Sequence, residues 1–252
     1  MKLPLEYNEL SSLFDLVGSG SKNDVNRVIG KILKQYRVKS VLDLTCGTGS
    51  QVIWLTKHGF DVTGSDYSPK LLSRAKVKLK AEKIKAKLHH GDMRTQRLGQ
   101  FDAVITIFNA VGHLTKKGFE KAMRNIHRNL KPGGIYVFDI FNLNSINEKD
   151  MSGFDTNKKA NVDGMKAHIF QYSKLDKKKG LLISYDNYVI EKKGKKPRKF
   201  QVKFPLQIYS PQELNEMLSC TGFDVVARYG VDGSKFSEKR TKEMVTVARK
   251  AS

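Results

Sequence analysis

A short apolar run that ends in an acid and enters a glycine-rich loop most constrains how this chain folds. The run ends at Asp43, the loop carries Gly47 and Gly49, and a helical pattern begins near Ser50. Glycines let the backbone approach a ligand where any Cβ would clash. A helix that begins directly after the loop points its unpaired N–H groups at the same ligand. Residues 39–50 therefore predict a strand, a tight turn and a helix that together bind a nucleotide-like cofactor.

Two classes of cofactor bind at such a turn. A dinucleotide-binding turn has the pattern Gly-x-Gly-x-x-Gly or Ala, and here Val52 occupies the third small position. Asp43 would repel a pyrophosphate and suits a ligand that carries positive charge. The loop alone disfavours the dinucleotide but leaves both classes open. A turn that only requires small residues is the structural alternative.

Two later segments fit the same α/β arrangement. Residues 60–66 predict the second strand, and its terminal acid lies 23 residues after Asp43. That spacing places Asp66 at the tip of the neighbouring strand, where its carboxylate can accept both hydroxyl groups of a ribose. The nearly continuous apolar run 101–108 predicts a strand covered on both faces. Ligands of open α/β sheets bind beyond the carboxyl ends of such strands, so the loop after Phe108 faces the ligand.

The stretch that begins at Val41 resembles motif I of the class I S-adenosylmethionine (SAM) methyltransferases, written Val-Leu-Asp-x-Gly-x-Gly-x-Gly. Thr45 replaces the first glycine of that pattern. A close variant with Ala-Cys-Gly-Thr-Gly occurs in small-molecule N-methyltransferases of the amino-sugar N,N-dimethyltransferase and glycine-sarcosine N-methyltransferase types. Residues 91–94, Gly-Asp-Met-Arg, resemble the adenine-recognition segment of the family. The resemblance spans about 38–141 and 210–250 and implies SAM as the cofactor.

The resemblance implies a role for each residue around the cofactor. Asp43 favours the cationic methionine end without serving as a base, Asp66 accepts the ribose hydroxyls, and Asp92 and Met93 bind the adenine. The other residues expected to contact the cofactor are Thr45, Cys46, Gly47, Gly49, Tyr67 and Phe108. Unranked candidates from the N-terminal region are Tyr7, Phe14, Lys22 and Asn23. No metal is expected, because the cofactor itself supplies the electrophile.

The loop over residues 109–114 resembles the Ser-Ser-x-Gly-His-Met loop of the amino-sugar N,N-dimethyltransferases, and His113 matches its histidine. The loop lacks Asn/Asp-Pro-Pro-Tyr/Phe, which marks methylation of exocyclic base amines and glutamine amides. It also lacks the cysteine nucleophile that carbon-five methylation of cytosine requires. The titration range of His113 suits a side chain that takes a proton from a substrate ammonium or holds the free amine. A histidine that caps or packs the next helix is the alternative.

Strand patterns after the fifth strand of the sheet predict an insertion. Residues 165–174, 181–191 and 199–209 each read as a strand, and lysine-rich turns join them. Three antiparallel strands at this place are similar to the lid sheet that covers the substrate in the same N-methyltransferases. Candidate pocket residues in the lid are Tyr172, Tyr185, Tyr188 and Tyr209.

The fold class expected is therefore α/β, with a Rossmann-like class I methyltransferase sheet that is parallel apart from an antiparallel last strand. An antiparallel β lid is inserted into it. The expected domains are an N-terminal helical cap (1–37), a SAM-binding core (38–141 and 210–252) and a three-stranded lid (142–209).

Charge and hydropathy limit the kinds of partner that the chain is expected to have. The formal net charge of +21 would concentrate anionic partners at the surface. The lysines are spread along the whole chain, which favours ordinary solvated faces, and nucleic acid or a phosphorylated metabolite stays open as an anionic partner. The first residues lack the apolar segment of a secretory signal, and apolar runs are strand-sized, so we expect no membrane span and a cytoplasmic protein. A homodimer also stays open.

Taken together, these features predict a SAM-dependent methyltransferase that acts on a small molecule, at an amine nitrogen. One alternative is an RNA or protein methyltransferase that uses the basic surface. A second alternative is a non-catalytic SAM-binding module.

Overall fold

The computed structural model describes residues 4–16 and 22–251, and in them it places eleven strands and five α-helices. The strands are β1 (Ser40–Asp43), β2 (Asp61–Asp66), β3 (Lys87–His90), β4 (Phe101–Thr106), β5 (Leu130–Phe141), β6 (Thr156–Val162), β7 (Met165–Asp176), β8 (Leu181–Lys192), β9 (Arg198–Gln207), β10 (Phe223–Gly230) and β11 (Glu243–Lys250). The helices are α1 (Lys22–Gln35), α2 (Ser50–Lys57), α3 (Pro69–Ala81), α4 (Lys116–Arg128) and α5 (Pro211–Ser219). None of the described helices is both long and apolar enough to cross a membrane.

Seven strands form one sheet in the order β10-β11-β5-β4-β1-β2-β3. The pairs among β1 to β5 are parallel, whereas β11 runs antiparallel to both β5 and β10. The expected α/β fold class, parallel with an antiparallel last strand, is thus confirmed. The strand order reverses between β1 and β4, and ligands of such sheets bind outside the carboxyl ends of the strands at that point.

Helices cover both faces of this sheet, because successive residues on a strand point to opposite sides. On one face, Val41 and Ile105 belong to a core that α1, α2 and α3 complete. On the other face, Leu42 and Val104 pack with α4 and α5. Buried apolar residues recur on α4 at helical spacing, which is the pattern of a helix that covers a sheet with one side.

The helices beside the carboxyl edge of the sheet begin at residues suited to that position. The Ser68 hydroxyl accepts a hydrogen bond from the Leu71 N–H at the start of α3, where Pro69 occupies the first turn. Gly49 precedes α2 in the left-handed region, with φ of 85°. These local signals predict the helix starts because they depend only on neighbouring residues.

The second sheet has the order β6-β7-β8-β9 and is antiparallel throughout. The expectation of a three-stranded lid was wrong, since β6 pairs along its whole length with β7. The strand β6 is a polar edge strand with exposed Lys158 and Lys159, so it lacks the apolar alternation that marks a strand. Asp163 and Gly164 join it to β7 with φ of 50° and 72°. An Asp-Gly pair is a strong hairpin signal and would have found the missing strand.

The N-terminal segment, residues 4–16, lies between the lid and the core. It consists of two short 3₁₀ helices, Leu5–Tyr7 and Ser11–Leu16, within the expected N-terminal helical cap. Leu10 and Leu13 are buried against the inner face of β7 and β8. The Thr48 hydroxyl of the core donates to Asp15 over 2.8 Å. The expected linker over residues 18–21 lies outside the described residues.

Candidate active site

A cavity of about 550 Å³ lies where the carboxyl edge of the parallel strands, the N-terminal segment and the inner face of the lid meet. Loops after β1, β2, β3 and β4 contribute to its lining, as do residues of β6 to β9. Of the eleven residues expected in the site, all except Asp43 and Gly49 line this cavity. The structure therefore brings together residues that are up to 68 positions apart in the sequence, from Thr45 to His113.

At Gly47, the backbone of the glycine loop lies against the cavity. Its φ of 52° is left-handed, and a Cβ placed there would lie 3.1 Å from the Phe14 ring of the N-terminal segment. Gly49 has a different function, because a Cβ there would meet Leu79 of α3 at 3.0 Å. Gly49 thus permits close helix packing behind the loop and does not itself line the cavity.

Asp43 is buried behind the loop, with 1% of its surface exposed. One carboxylate oxygen accepts a hydrogen bond from the Thr45 N–H over 3.0 Å. The other oxygen is buried without a hydrogen-bond partner among the described residues. Burial raises the pKa of Asp43 to about 8. The residue shapes the loop from behind and leaves one unsatisfied acceptor there.

Asp66 lines the cavity at the end of β2 and is held by backbone groups. Its two carboxylate oxygens accept hydrogen bonds from the Gly47 N–H and the Ser68 N–H, each over 2.8 Å. Burial raises the pKa of this carboxyl, and the two N–H groups oppose that shift. Each oxygen has a second lone pair, so the carboxylate can still accept from a ligand.

The segment after β3 contains a pair that the sequence interpretation did not anticipate. The Arg94 guanidinium donates to both oxygens of Asp92, with Nε 3.0 Å from each. This hydrogen bonding holds the pKa of Asp92 below its ordinary value. Met93 is fixed through its carbonyl, which accepts from Asn125 over 3.0 Å. The expected adenine acceptor, Asp92, is therefore already paired with Arg94, which also lines the cavity.

The remaining expected cofactor contacts differ in exposure. Tyr67 is 54% exposed and Phe108 is 36% exposed. Cys46 is buried, and burial raises the pKa of its thiol well above the ordinary value, so it is not a nucleophile.

Two consecutive residues after β4 adopt left-handed backbone conformations, Phe108 with φ of 63° and Asn109 with φ of 52°. Such conformations are strained for residues other than glycine and persist only where surrounding contacts enforce them. Here Asp139 of β5 accepts a hydrogen bond from the Asn109 N–H over 2.9 Å. Asp139 in turn hydrogen-bonds Glu243 of β11, and burial raises the pKa of both carboxyls. This loop carries the chain toward His113.

His113 is held between the N-terminal segment and the lid. Its Nε2 lies 3.4 Å from the Tyr7 hydroxyl, and its ring centroid lies 5.7 Å from that of Phe204 on β9. Its Nδ1 is buried without a partner among the described residues. Burial lowers the pKa of His113 to about 4, so the ring is neutral near pH 7. A neutral imidazole in this place can accept a proton or a hydrogen bond.

The lid contributes polar groups that the sequence interpretation missed. Gln171 and Ser173 of β7 face Asp186 and Ser184 of β8 across the sheet, and all four line the cavity. The alternation of residues along β8 could have identified these polar groups, because every second residue of a strand faces the same side. Its inward positions are apolar at both ends of the strand, as at Leu182, and polar in the middle.

The lid tyrosines were a wrong expectation, since none of the four lines the cavity. Tyr172 and Tyr185 stack on each other at 4.8 Å and occupy alternate positions from the cavity-lining residues. Tyr209 is buried in the core beneath α4 and α5. Among the N-terminal candidates, Tyr7 and Phe14 line the cavity, and the side chains of Lys22 and Asn23 lie outside the described part of the chain.

Comparison with known proteins places these features in a family context. Residues 41–134 match the family described as methyltransferase domain. Over 189 residues the chain is 32% identical to the putative methyltransferase YqeM of Bacillus subtilis (strain 168), a match that covers 73% of each chain.

A second relative matches more closely over a shorter stretch. Over 102 residues the chain is 38% identical to the dTDP-3-amino-3,4,6-trideoxy-alpha-D-glucopyranose N,N-dimethyltransferase of Streptomyces venezuelae, which is 40% of this chain and only 41% of that enzyme. Among solved structures, an S-adenosylmethionine-dependent methyltransferase from Clostridium acetobutylicum ATCC 824 superposes with a TM-score of 0.78 over 98% of this chain and 99% of that chain. At 18% identity, this similarity shows a shared fold.

Proposed function

The chain belongs to the S-adenosylmethionine-dependent methyltransferases, and from that premise we propose that it transfers a methyl group to an amine nitrogen of a small molecule. The observation that carries this proposal is the position of neutral His113 in a cavity covered by the lid and the N-terminal segment. The cavity volume of about 550 Å³ lies within the range of ~300–1,000 Å³ that is typical of small-molecule sites.

The residues on the cavity floor fit the cofactor. The left-handed turn at Gly47 brings backbone to the cavity without a Cβ, and Asp66 is positioned to accept ribose hydroxyls. The buried hydroxyl of Thr45, which lines the cavity, lacks a partner among the described residues and would meet the cationic end, with the Asp43 carboxyl buried behind it. When bound, SAM supplies an electrophilic methyl group on a sulfonium.

The chain's own residues would orient and desolvate the amine. The Tyr7 hydroxyl beside Nε2 sets the orientation of the His113 ring, and Phe204 packs against its side and excludes water. With its pKa lowered to about 4, His113 is unprotonated and available to accept a hydrogen bond from the neutral amine. Because the transfer is a displacement in line with the sulfur, correct placement of the nitrogen accounts for most of the catalysis expected of the protein.

The relatives support the choice of an amine in a small molecule. The name of the Streptomyces venezuelae enzyme describes an amino sugar carried on a nucleotide and dimethylated at nitrogen. That match spans 40% of this chain and 41% of that enzyme. The substrate therefore has to be established by experiment.

The test uses SAM labelled in its methyl group with fractionated metabolites and with total RNA. We expect label in small molecules that carry a primary or secondary amine, and little label in RNA. Label that appears only in RNA, in protein or in hydroxyl groups would overturn the proposal. A protein that binds SAM but transfers label to no fraction would identify it as a binding module.

One observation favours RNA as a second candidate substrate. On the lid, the Lys174 and Lys203 ammonium groups lie 5.7 and 5.2 Å from the centroid of the Tyr185 ring, which also stacks on Tyr172. Lysines interleaved with aromatic rings bind single-stranded nucleic acid through phosphates and base stacking. If RNA is the substrate, its affinity falls by about 10³-fold or more between 50 and 200 mM salt. Absence of RNA binding at low salt would exclude this candidate.

A further inference from the structure

Two acids meet at the roof of the cavity, where the N-terminal segment contacts the lid. Glu6 is 2% exposed and Asp186 of β8 is 1% exposed, and both line the cavity. The Tyr188 hydroxyl lies between them, in contact with Glu6 and 3.1 Å from Asp186. A tyrosine hydroxyl has one proton, so it can donate to one carboxylate only. The two acids thus compete for a single donor.

The remaining partners do not satisfy this pair. Asp186 accepts from the Ser184 hydroxyl over 2.7 Å and also from the Gln171 amide. Glu6 accepts from Gln171 over 3.3 Å through the same oxygen, Oε1, that contacts Tyr188. The second oxygen of Glu6, Oε2, is buried and has no hydrogen-bond partner among the described residues. A buried carboxylate without a partner is unfavourable unless a ligand completes it.

Among the described residues of the cavity wall, no cation contacts the pair. Of the basic side chains that line the cavity, Arg94 binds Asp92 and Lys158 donates to the Leu16 carbonyl over 3.0 Å. His113 is neutral. Within the described residues, Glu6 and Asp186 therefore form a buried cluster of acceptors at the roof of the cavity.

We propose that Glu6 and Asp186 form the subsite that recognises the protonated amine of the substrate. An ammonium group has three donors, which suit the free oxygen of Glu6 and the lone pairs of Asp186. The bound ammonium loses one proton to bulk water before the transfer, because the nitrogen needs a lone pair to attack the methyl group. Tyr7 follows Glu6 in the chain and contacts His113, so the subsite adjoins the histidine. The inference rests on the proposed function, since it specifies how the same cavity selects an amine over a hydroxyl.

The protonation behaviour of the pair supports this assignment. Burial raises the pKa of Glu6 to about 7 and raises that of Asp186 as well. Without a ligand, the pair therefore tends to retain a proton near pH 7. An ammonium ion supplies the positive charge in place of that proton. A hydroxyl analogue carries no charge and gains nothing from the ionised pair.

The competing explanation is that the same contacts only hold the N-terminal segment against the lid. We call such a structural contact a latch. A latch acts on every ligand of the cavity, because opening it would loosen the cofactor side as well. A recognition site acts on the amine alone. The two explanations therefore differ in what happens to SAM affinity and to neutral analogues.

The experiment first identifies an amine that gains label in the transfer assay, and then compares Glu6→Gln and Asp186→Asn with wild type. The control is Glu9→Gln, which removes one negative charge from an exposed residue of the same segment. We expect KM for the amine to rise at least about tenfold in both cavity variants. We also expect kcat and the calorimetric Kd for SAM to change less than about threefold, and Glu9→Gln to match wild type.

The outcomes separate the subsite from the function. If no amine gains label, the proposed function fails, and the subsite fails with it. If an amine is methylated but its KM is unchanged in both cavity variants, only the subsite is overturned, and a parallel loss of SAM affinity would identify a latch. Should one variant not fold, the other decides. Wild type gives an independent measure, since it should bind the amine at least about tenfold more tightly than the matching hydroxyl compound.

Discussion

At the scale of single residues, the cavity depends on side chains whose hydrogen bonds are made mostly with backbone. Asp66 is the clearest case, because two N–H groups fix its carboxylate at the end of β2. A fixed acceptor loses little entropy when a ligand binds. The same hydrogen bonds make the residue part of the loop's own structure.

Replacing Asp66 with alanine should raise the Kd for SAM by at least about tenfold, because two charge-assisted hydrogen bonds to ribose are lost. Calorimetric titration of the folded variant measures the change. Asp61→Ala is the matched control, since Asp61 is exposed at the other end of the same strand. Unchanged SAM affinity in Asp66→Ala would remove the residue from the cofactor site.

Replacing His113 with alanine should lower turnover by about 10²-fold or more and leave the SAM Kd within about threefold. The reason is that the histidine lies between Tyr7 and Phe204, and is proposed to act on the amine. Single-turnover transfer to the amine identified above gives the rate. His58→Ala, on an exposed residue, should keep wild-type turnover. Normal turnover in His113→Ala would assign the residue to packing.

The stability of Glu6→Gln relative to wild type should depend on pH. The folded-state pKa of Glu6 is raised from 4.5 to about 7. Its neutral form therefore stabilises the wild type fully below pH 4.5, and this contribution is lost as pH rises through 7. Glutamine is neutral throughout. The free energy of unfolding of the variant should therefore rise relative to that of wild type by up to about 3 kcal/mol between pH 4.5 and 8. Urea unfolding at the two pH values measures this difference, and a constant difference would contradict it.

Sequence reasoning identified residues that line the cavity where the signal is local. The glycine loop and the acid at the end of β2 each follow an apolar strand within a few positions, so motif and chemistry coincide. Glu6 and Asp186 carry no such signal, because they meet only when the N-terminal segment and the lid are folded together. Arg94 belongs to the Gly-Asp-Met-Arg segment, but its pairing with Asp92 depends on a side-chain rotamer that the sequence does not specify.

At the scale of elements, the N-terminal segment and the lid behave as one wall of the cavity. Leu10 and Leu13 are buried against Met165 and Ile169 of β7. This small apolar cluster lies on one side of the polar centre of the lid. The wall is therefore held by apolar packing at its margin, while the groups that meet the ligand remain polar.

Replacing Leu13 with alanine should release the N-terminal segment from the lid without unfolding the core. Leu13 is 0% exposed, and such truncations cost about 2–5 kcal/mol. Hydrogen exchange should accelerate in residues 4–16 and in β7 and β8, whereas β1 and β4 keep their protection. Val226→Ala, at a position 39% exposed, is the control. Equal acceleration in all strands would show that the segment and the core unfold together.

Element prediction succeeded where periodicity and caps agree, as in α3 with Ser68 and Pro69. It failed at β6, whose side chains are mostly polar and exposed. This strand is held by its pairing with β7 and not by an apolar face of its own. Element prediction also gave no bounds for the two short 3₁₀ helices of the N-terminal segment, which tertiary contacts hold in place. In each case an interaction outside the local sequence decided the conformation.

At the scale of the whole molecule, the order of the seven strands follows from the family resemblance and not from periodicity. Hydrophobic patterns identify strands but do not show which strands pair. Motif I and the expected antiparallel last strand indicate the class I arrangement. The volume beneath the lid could not be derived in this way, since it depends on how two sheets and the N-terminal segment approach each other. The +21 charge likewise leaves the partner undecided.

Strand β11, which pairs with both β5 and β10, makes the stability of the sheet sensitive to one position. Val247 is 0% exposed and pairs with Val137 of β5 and Ala227 of β10. Val247→Asp should therefore lower the free energy of unfolding by at least about 3 kcal/mol, because a carboxylate would be buried without a partner. Val226→Asp, on a surface position of β10, should cost far less. Urea unfolding compares the two, and similar losses would contradict this account.

The place of β11 also has a consequence for synthesis of the protein on the ribosome. Strands β1 to β5 emerge first and can pair with one another, but β5 keeps one edge open until residues 243–250 have left the exit tunnel. That edge carries unpaired backbone groups beside the apolar side chains of Val137 and Ile140. A nascent chain is therefore most prone to aggregate while residues 142–250 are translated, when β5 is already made and the sheet is still incomplete.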